Sequence, residues 1–205
     1  MNAALIEAVD DKVRRHRDVI GSFFAKNSQA LIDAAATIAR MYQRNGRLFA
    51  MGNGGSSCDA AHVAVEFQHP VTAGRPALTA IDLSADRTML TAVANDIGFD
   101  HIFVRQIIAQ GRSGDGLIGL STSGNSKNLV RAFVKAKELG LTTVGLAGMS
   151  GGAMATIELD HCLIVEADSI HRIQECHVTI YHILWDLVHS LLADDRGSAS
   201  AAAGE

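Results

Sequence analysis

The chain has 205 residues, 48% of them hydrophobic and 20% charged, with a formal net charge of −4. That is enough apolar material for one sizeable core, so a single domain is expected. An acidic balance argues against a nucleic-acid surface, and no apolar run approaches the ~18–20 residues of a membrane span.

In chain order, Leu5, Val9, Val13, Ile20 and Phe24 form a helical stripe. Ser28 is placed to cap a second helix that carries Leu31, Ala35, Ile38 and Tyr42 on one face and stops at Asn45-Gly46. Short apolar runs then appear at 47–51, 77–83, 117–121, 142–147 and 161–165. Helical patterns at 58–68, 86–94, 100–110, 127–139 and about 170–193 separate or follow them. Strands alternating with helices predict βαβ units and a parallel sheet. The N-terminal stretch, MNAALIEAVDDKVRRHRD, has no signal-peptide character, and Cys58, Cys162 and Cys176 lack metal-finger spacing. Both features lead to the expectation of reduced thiols and a cytoplasmic protein. Residues 1–193 are read as one domain and 194–205, small and polar, as a disordered tail.

Ligands of such sheets bind beyond the carboxyl ends of the strands. Two loops stand at those ends. GNGGSS (52–57) follows the first strand with three glycines, Asn53 and Ser56; Gly54 and Gly55 let backbone approach a ligand. STSGNS (121–126) follows the third strand, with Ser121, Thr122, Ser123 and Ser126 giving four hydroxyls in six positions. One such loop could be a strand-to-helix turn with a serine cap. Two loops of the same chemistry favour an anion, and the missing P-loop lysine favours a small sugar phosphate over a nucleoside triphosphate.

The helix after GNGGSS carries His62 and Glu66, an i, i+4 pair on one face. The last helical segment has Ile173, Cys176, Ile180, Ile183, Leu187 and Leu191 as its packing stripe, with Gln174 and His182 on a neighbouring face. His171 and His189 are read as surface residues. Two imidazoles, a carboxylate and an amide oxygen from His62, Glu66, His182 and Gln174 could hold a divalent metal. The same groups could equally shuttle protons on a sugar without one.

Four stretches resemble the sugar isomerase (SIS) domain family, in its phosphoheptose isomerase branch: GNGGSSCDAAHVAVEF (52–67), AVANDIGFDHIFVRQI (92–107), GDGLIGLSTSGNSKNLVRA (114–132) and RIQECHVTIYHIL (172–184). The resemblance implies an α/β fold, a three-layer α/β/α SIS domain with a five-stranded parallel sheet and N-terminal helices (1–45) that pack in the oligomer. It implies a homotetramer with active sites between subunits, and isomerisation of sedoheptulose 7-phosphate to D-glycero-D-manno-heptose 7-phosphate through an enediol. It further implies Glu66 and His182 as the acid/base pair, and Ser56, Ser121, Thr122, Ser123 and Ser126 around the phosphate. Asn53, Asp96 and Gln174 fall on sugar contacts, and one Zn²⁺ per subunit on His62, Glu66, Gln174 and His182. The sequence departs from the branch at its sugar end, in QHPVTAG (68–74) and at His171. A second reading is a non-catalytic SIS adaptor related to the replication initiator-associating protein, or a sugar-phosphate sensor. Retention of Glu66 and His182 argues for the enzyme.

Overall fold

The computed structural model describes residues 2–202, and the side chains of residues 2–193. Its elements are α1 (Asn2–Gln43), β1 (Leu48–Gly52), α2 (Gly55–Gln68), β2 (Ala80–Asp82), α3 (Arg87–Ile97), α4 (Val104–Gln110), β3 (Gly116–Ser121), α5 (Lys127–Glu138), β4 (Thr142–Gly148), β5 (His161–Val165) and α6 (Ile170–Ala202), with short 3₁₀ turns at Phe99–His101 and Gly152–Ala155. The five strands pair in parallel in the order β2-β1-β3-β4-β5.

Strand alternation sorts the core into two layers. Leu48, Ala50, Ile118, Leu120, Val144 and Leu146 face the layer of α1, α2 and α6. Phe49, Met51 and Leu117 face α3, α4 and α5, where Val93, Ile107, Leu129 and Phe133 pack. Side chains alternate across a pleated strand, so even strands buried on both faces divide their residues by parity. The three-layer α/β/α architecture with a five-stranded parallel sheet is therefore as expected.

The strand order decides where a ligand would sit. β1 pairs with β2 on one side and β3 on the other, so the chain leaves β1 toward one edge and returns beside it. The loops after β1 and β3 consequently open a crevice at the point where the order reverses, the usual ligand position in an open α/β sheet.

The expectation of two N-terminal helices is corrected: α1 is one helix of 42 residues. Ser28 does not cap. Its hydroxyl donates back to the Phe24 carbonyl at 2.6 Å, a bond that satisfies the serine inside a continuous helix. The second half of α1 supplies the buried Leu31, Ala35 and Ile38, whereas Leu5, Ile6, Val9 and Val13 of the first half are exposed. The helix α6 runs to Ala202, through much of the stretch expected to be a disordered tail. Ala199, Ala201 and Ala202 favour helix over coil. Residues 203–205, the rest of that stretch, lie outside the described residues.

Two expectations about α6 are also corrected. Ile183 is exposed, and Leu184, Trp185 and Val188 carry the buried stripe past Ile180. The stripe drifts because 3.6 residues per turn do not keep a strict seven-residue seam on one line. His189, expected at the surface, is 1% exposed, stacked on Phe67 with ring centroids 6.1 Å apart and edge-on to Trp185 at 5.1 Å. His171 is exposed, as expected.

Candidate active site

The GNGGSS loop turns straight from β1 into α2. The Ser56 amide donates to the Asn53 carbonyl, and the Ser57 hydroxyl donates to the Gly54 carbonyl at 2.7 Å. Gly55 has a steric requirement of its own, since a Cβ there would lie 2.6 Å from Gln174 Nε2. The absent side chain thus lets Gln174 of α6 rest against the loop. Ser56 is buried at 4% exposure.

The second loop is held by bonds among its own hydroxyls and amides. The Ser121 hydroxyl accepts from the Gly124 amide at 3.1 Å and lies 3.1 Å from the Ser126 hydroxyl. The Ser123 hydroxyl accepts from the Asn125 amide at 3.2 Å. Ser126 occupies the N-cap position of α5, yet its side chain makes no capping bond. Its hydroxyl is turned toward Ser121 instead, away from the role a plain cap would give it. Thr122 is partly exposed between them. Gly124 has φ +65°, and a Cβ there would lie 1.9 Å from the Gly151 carbonyl oxygen. Only glycine takes that conformation against that neighbour without strain.

The two loops are tied together. Asn53 and Asn128 exchange side-chain hydrogen bonds, Nδ2 to Oδ1 at 3.0 Å and 2.9 Å in the two directions. Asn128 stands in the first turn of α5, was not anticipated as part of the site, and is 2% exposed. The reciprocal amide pair locks the loop after β1 to the helix after β3. Asp96 sits apart from this cluster, exposed near the end of α3 and accepting from Asn95 Nδ2 at 2.9 Å.

Further along α2, His62 and Glu66 meet His182 of α6. One ligand atom from each lies within 4.8 Å of the others, all three residues being partly buried. His62 Nε2 is 3.1 Å from Glu66 Oε1. The His62 and His182 rings meet edge to face with centroids 4.9 Å apart. Trp185 Nε1 donates to the Glu66 carbonyl at 2.8 Å, which fastens α6 to the end of α2. The arrangement unites three of the four residues in the expected metal set. Gln174 stands against Gly55 at the loop end of the same groove, eight residues and about 12 Å of helix rise from His182. Two imidazoles and a carboxylate converging at this spacing are a donor set that Zn²⁺ accepts.

The electrostatics suit proton transfer. Burial lowers the pKa of His182, and the neighbouring His62 lowers it further against the opposing pull of Glu66. Its imidazole is therefore neutral at pH 7, with one nitrogen able to accept and the other to donate. Burial raises the pKa of Asp59, one turn before His62, and the charge of His62 partly offsets that rise. Burial, with Asp59 and Glu66 adding to it, raises the pKa of Tyr181, which stays a neutral phenol. The Tyr181 hydroxyl is 2.8 Å from His62 Nδ1. Sequence reasoning missed Tyr181 because it looks like one more apolar residue on α6. The one signal was its place beside His182.

Comparison with known proteins shows the family of the chain. The SIS domain family matches residues 13–148. The phosphoheptose isomerase of Helicobacter pylori is 40% identical over 184 residues, spanning 88% of this chain and 95% of that protein. The phosphoheptose isomerase of Geotalea daltonii is 40% identical over 192 residues, 94% of this chain and all of the relative. The solved phosphoheptose isomerase of Neisseria gonorrhoeae superposes with a TM-score of 0.85 at 34% identity, over 91% of this chain and 99% of its own.

Proposed function

Because the chain belongs to the sugar isomerase (SIS) domain family, and within it to the phosphoheptose isomerases, we propose that it converts sedoheptulose 7-phosphate to D-glycero-D-manno-heptose 7-phosphate through an enediol. It is an isomerase, and the adaptor and sensor readings give way to that. The observation that carries the chemistry is the meeting of His62, Glu66 and His182 in one groove that begins at the loop after β1.

In this reading the phosphate lies in the crevice between the loops after β1 and β3. Ser56, Ser121, Thr122, Ser123 and Ser126 hold it together with backbone amides, and the dipole of α5 favours its charge. Asn53 and Gln174 orient the sugar, and Asp96 would reach it from a second copy of the chain, in keeping with a site shared between subunits. Glu66 removes the C1 proton and returns it to C2, as a carboxylate whose Oε1 is held 3.1 Å from His62 Nε2. His182 carries the proton between O1 and O2, a task suited to a neutral imidazole that can donate and accept at once. In a zinc-loaded form His62, Glu66 and His182 would hold one Zn²⁺ through the lone pairs that otherwise take protons, with Gln174 as a neutral fourth ligand once its side chain swings away from Gly55. Bound zinc would polarise the substrate carbonyl as a Lewis acid. The exposed Leu5, Ile6, Val9 and Val13 of α1 support association with a second copy, since that apolar stripe gains by being buried, and we read the assembly as a homotetramer. Among the described residues no helix is long and apolar enough to cross a membrane, and cytoplasmic residence fits the free Cys58, Cys162 and Cys176.

The test is incubation with sedoheptulose 7-phosphate, following the aldose anomeric signals by NMR. Failure to convert it, with the related five- and six-carbon ketose phosphates also left unchanged, would overturn the reading. Activity that neither zinc nor a chelator alters would leave the histidines and Glu66 as acid/base groups alone.

A further inference from the structure

We infer that Tyr181 is a positioning residue for His62, its hydroxyl holding the imidazole with Nε2 turned toward Glu66. The inference rests on the proposed site, since it concerns how one of that site's groups is aimed. Tyr181 is 2% exposed and anchored in the packing of α6, while His62 is about 42% exposed along its side chain. A half-open imidazole has a broad, roughly two-fold choice of ring angle. A half-turn of the ring would carry Nδ1 away from the phenol and Nε2 away from Glu66. The 2.8 Å contact between the Tyr181 hydroxyl and His62 Nδ1 fixes the choice, and the edge-on contact of the two rings at 5.3 Å and 71° supports it.

The hydrogen positions follow from the partners. A carboxylate only accepts, so opposite Glu66 Oε1 at 3.1 Å the His62 Nε2 carries the hydrogen. Nδ1 is then the lone pair, and the Tyr181 O–H donates to it. When a metal takes the Nε2 lone pair, the hydrogen has to sit on Nδ1, and the Tyr181 oxygen accepts it. A carboxylate or a backbone carbonyl behind Nδ1 could serve only the second state. A phenol serves both by turning one O–H bond. Tyr181 thus lets His62 pass between a metal-holding form and a free acid/base form without moving the ring. This bears directly on which of the two roles these groups play.

The experiment uses full-length protein labelled with ¹⁵N-histidine, the His62 signal being assigned with a His62→Gln variant. In metal-free wild type at pH 8, His62 is expected in one tautomer, with Nε2 protonated and Nδ1 hydrogen-bonded. Tyr181→Phe keeps the ring in the core and removes one oxygen. It should leave a mixture of tautomers and weaken Zn²⁺ binding about tenfold or more, read by competition with a chromophoric chelator. A wild-type spectrum with Nδ1 protonated, or a mixture, overturns the inference without need of any variant. So does a Tyr181→Phe protein whose tautomer and zinc affinity both match wild type. Wild type that binds no zinc overturns the metal-holding half, and the tautomer then decides the other half. Turnover of sedoheptulose 7-phosphate by wild type is read separately. A fixed tautomer in an inactive protein would sink the reaction and keep the positioning role.

Discussion

Replacing His182 with glutamine separates chemistry from architecture. The ring is partly buried and touches His62 and Tyr181 edge to face at centroid distances of 4.9 and 4.8 Å. Losing such aromatic contacts costs about 0.5–1.5 kcal/mol each beyond area, and a glutamine of similar length recovers part of the packing. The variant should therefore fold, with thermal stability lowered by about 1–2 kcal/mol. Catalysis should suffer far more. A positioned acid or base contributes about 10²–10⁴ in rate, which is about 2.7–5.5 kcal/mol of barrier. In wild type the acid limb of kcat/KM should fall below the ordinary histidine value of about 6.5, because burial and the charge of His62 hold His182 neutral. The assay is NMR of sedoheptulose 7-phosphate turnover across pH 5–9, with circular dichroism melts alongside. A folded His182→Gln protein whose kcat stays within threefold of wild type refutes the role assigned to His182.

Ser121→Ala with Ser123→Ala should raise KM about tenfold or more, since hydrogen bonds to a charged group are worth about 1.5–3 kcal/mol each. An unchanged KM in steady-state kinetics would remove those hydroxyls from the phosphate site. Buried His177 has its pKa lowered to about 4 by burial, against the small opposing effect of its bond to the Ala147 carbonyl. Its folded pKa lies below the unfolded value, so its stability contribution is present above about pH 6.5 and is lost as pH falls toward 4, by about 3 kcal/mol in all. Urea melts of wild type and His177→Gln from pH 7 to 4 should converge if this is right, and parallel curves would exclude it. Light scattering at micromolar concentration should give a tetramer, and Leu5→Asp with Val9→Asp should shift it toward smaller species, whereas a wild-type monomer would contradict the oligomer.

Much of this protein is legible along the chain because its information is local. The apolar runs at 47–51 and 142–147 become strands since a strand buried on both faces needs no partner to be recognised. The glycines of 52–55 and the hydroxyls of 121–126 declare anion chemistry by type, and His62 and Glu66 meet because four residues make about one turn of a helix. Other features come only from packing. Ser28 looks like a helix start, and only the fold shows α1 running through it, because a serine can bond back to the preceding turn at modest cost. His189 reads as polar, and the pocket between Phe67 and Trp185 decides that it is buried. The order β2-β1-β3 places two loops, nearly 70 residues apart, on either side of one crevice, and the Asn53–Asn128 pair ties its two sides together. His182 reaches His62 across 120 residues of chain, and Tyr181 arrives with it. No periodicity encodes such distances: they are set when α2 and α6 bury their apolar faces on the same side of the sheet and carry their polar groups into one groove.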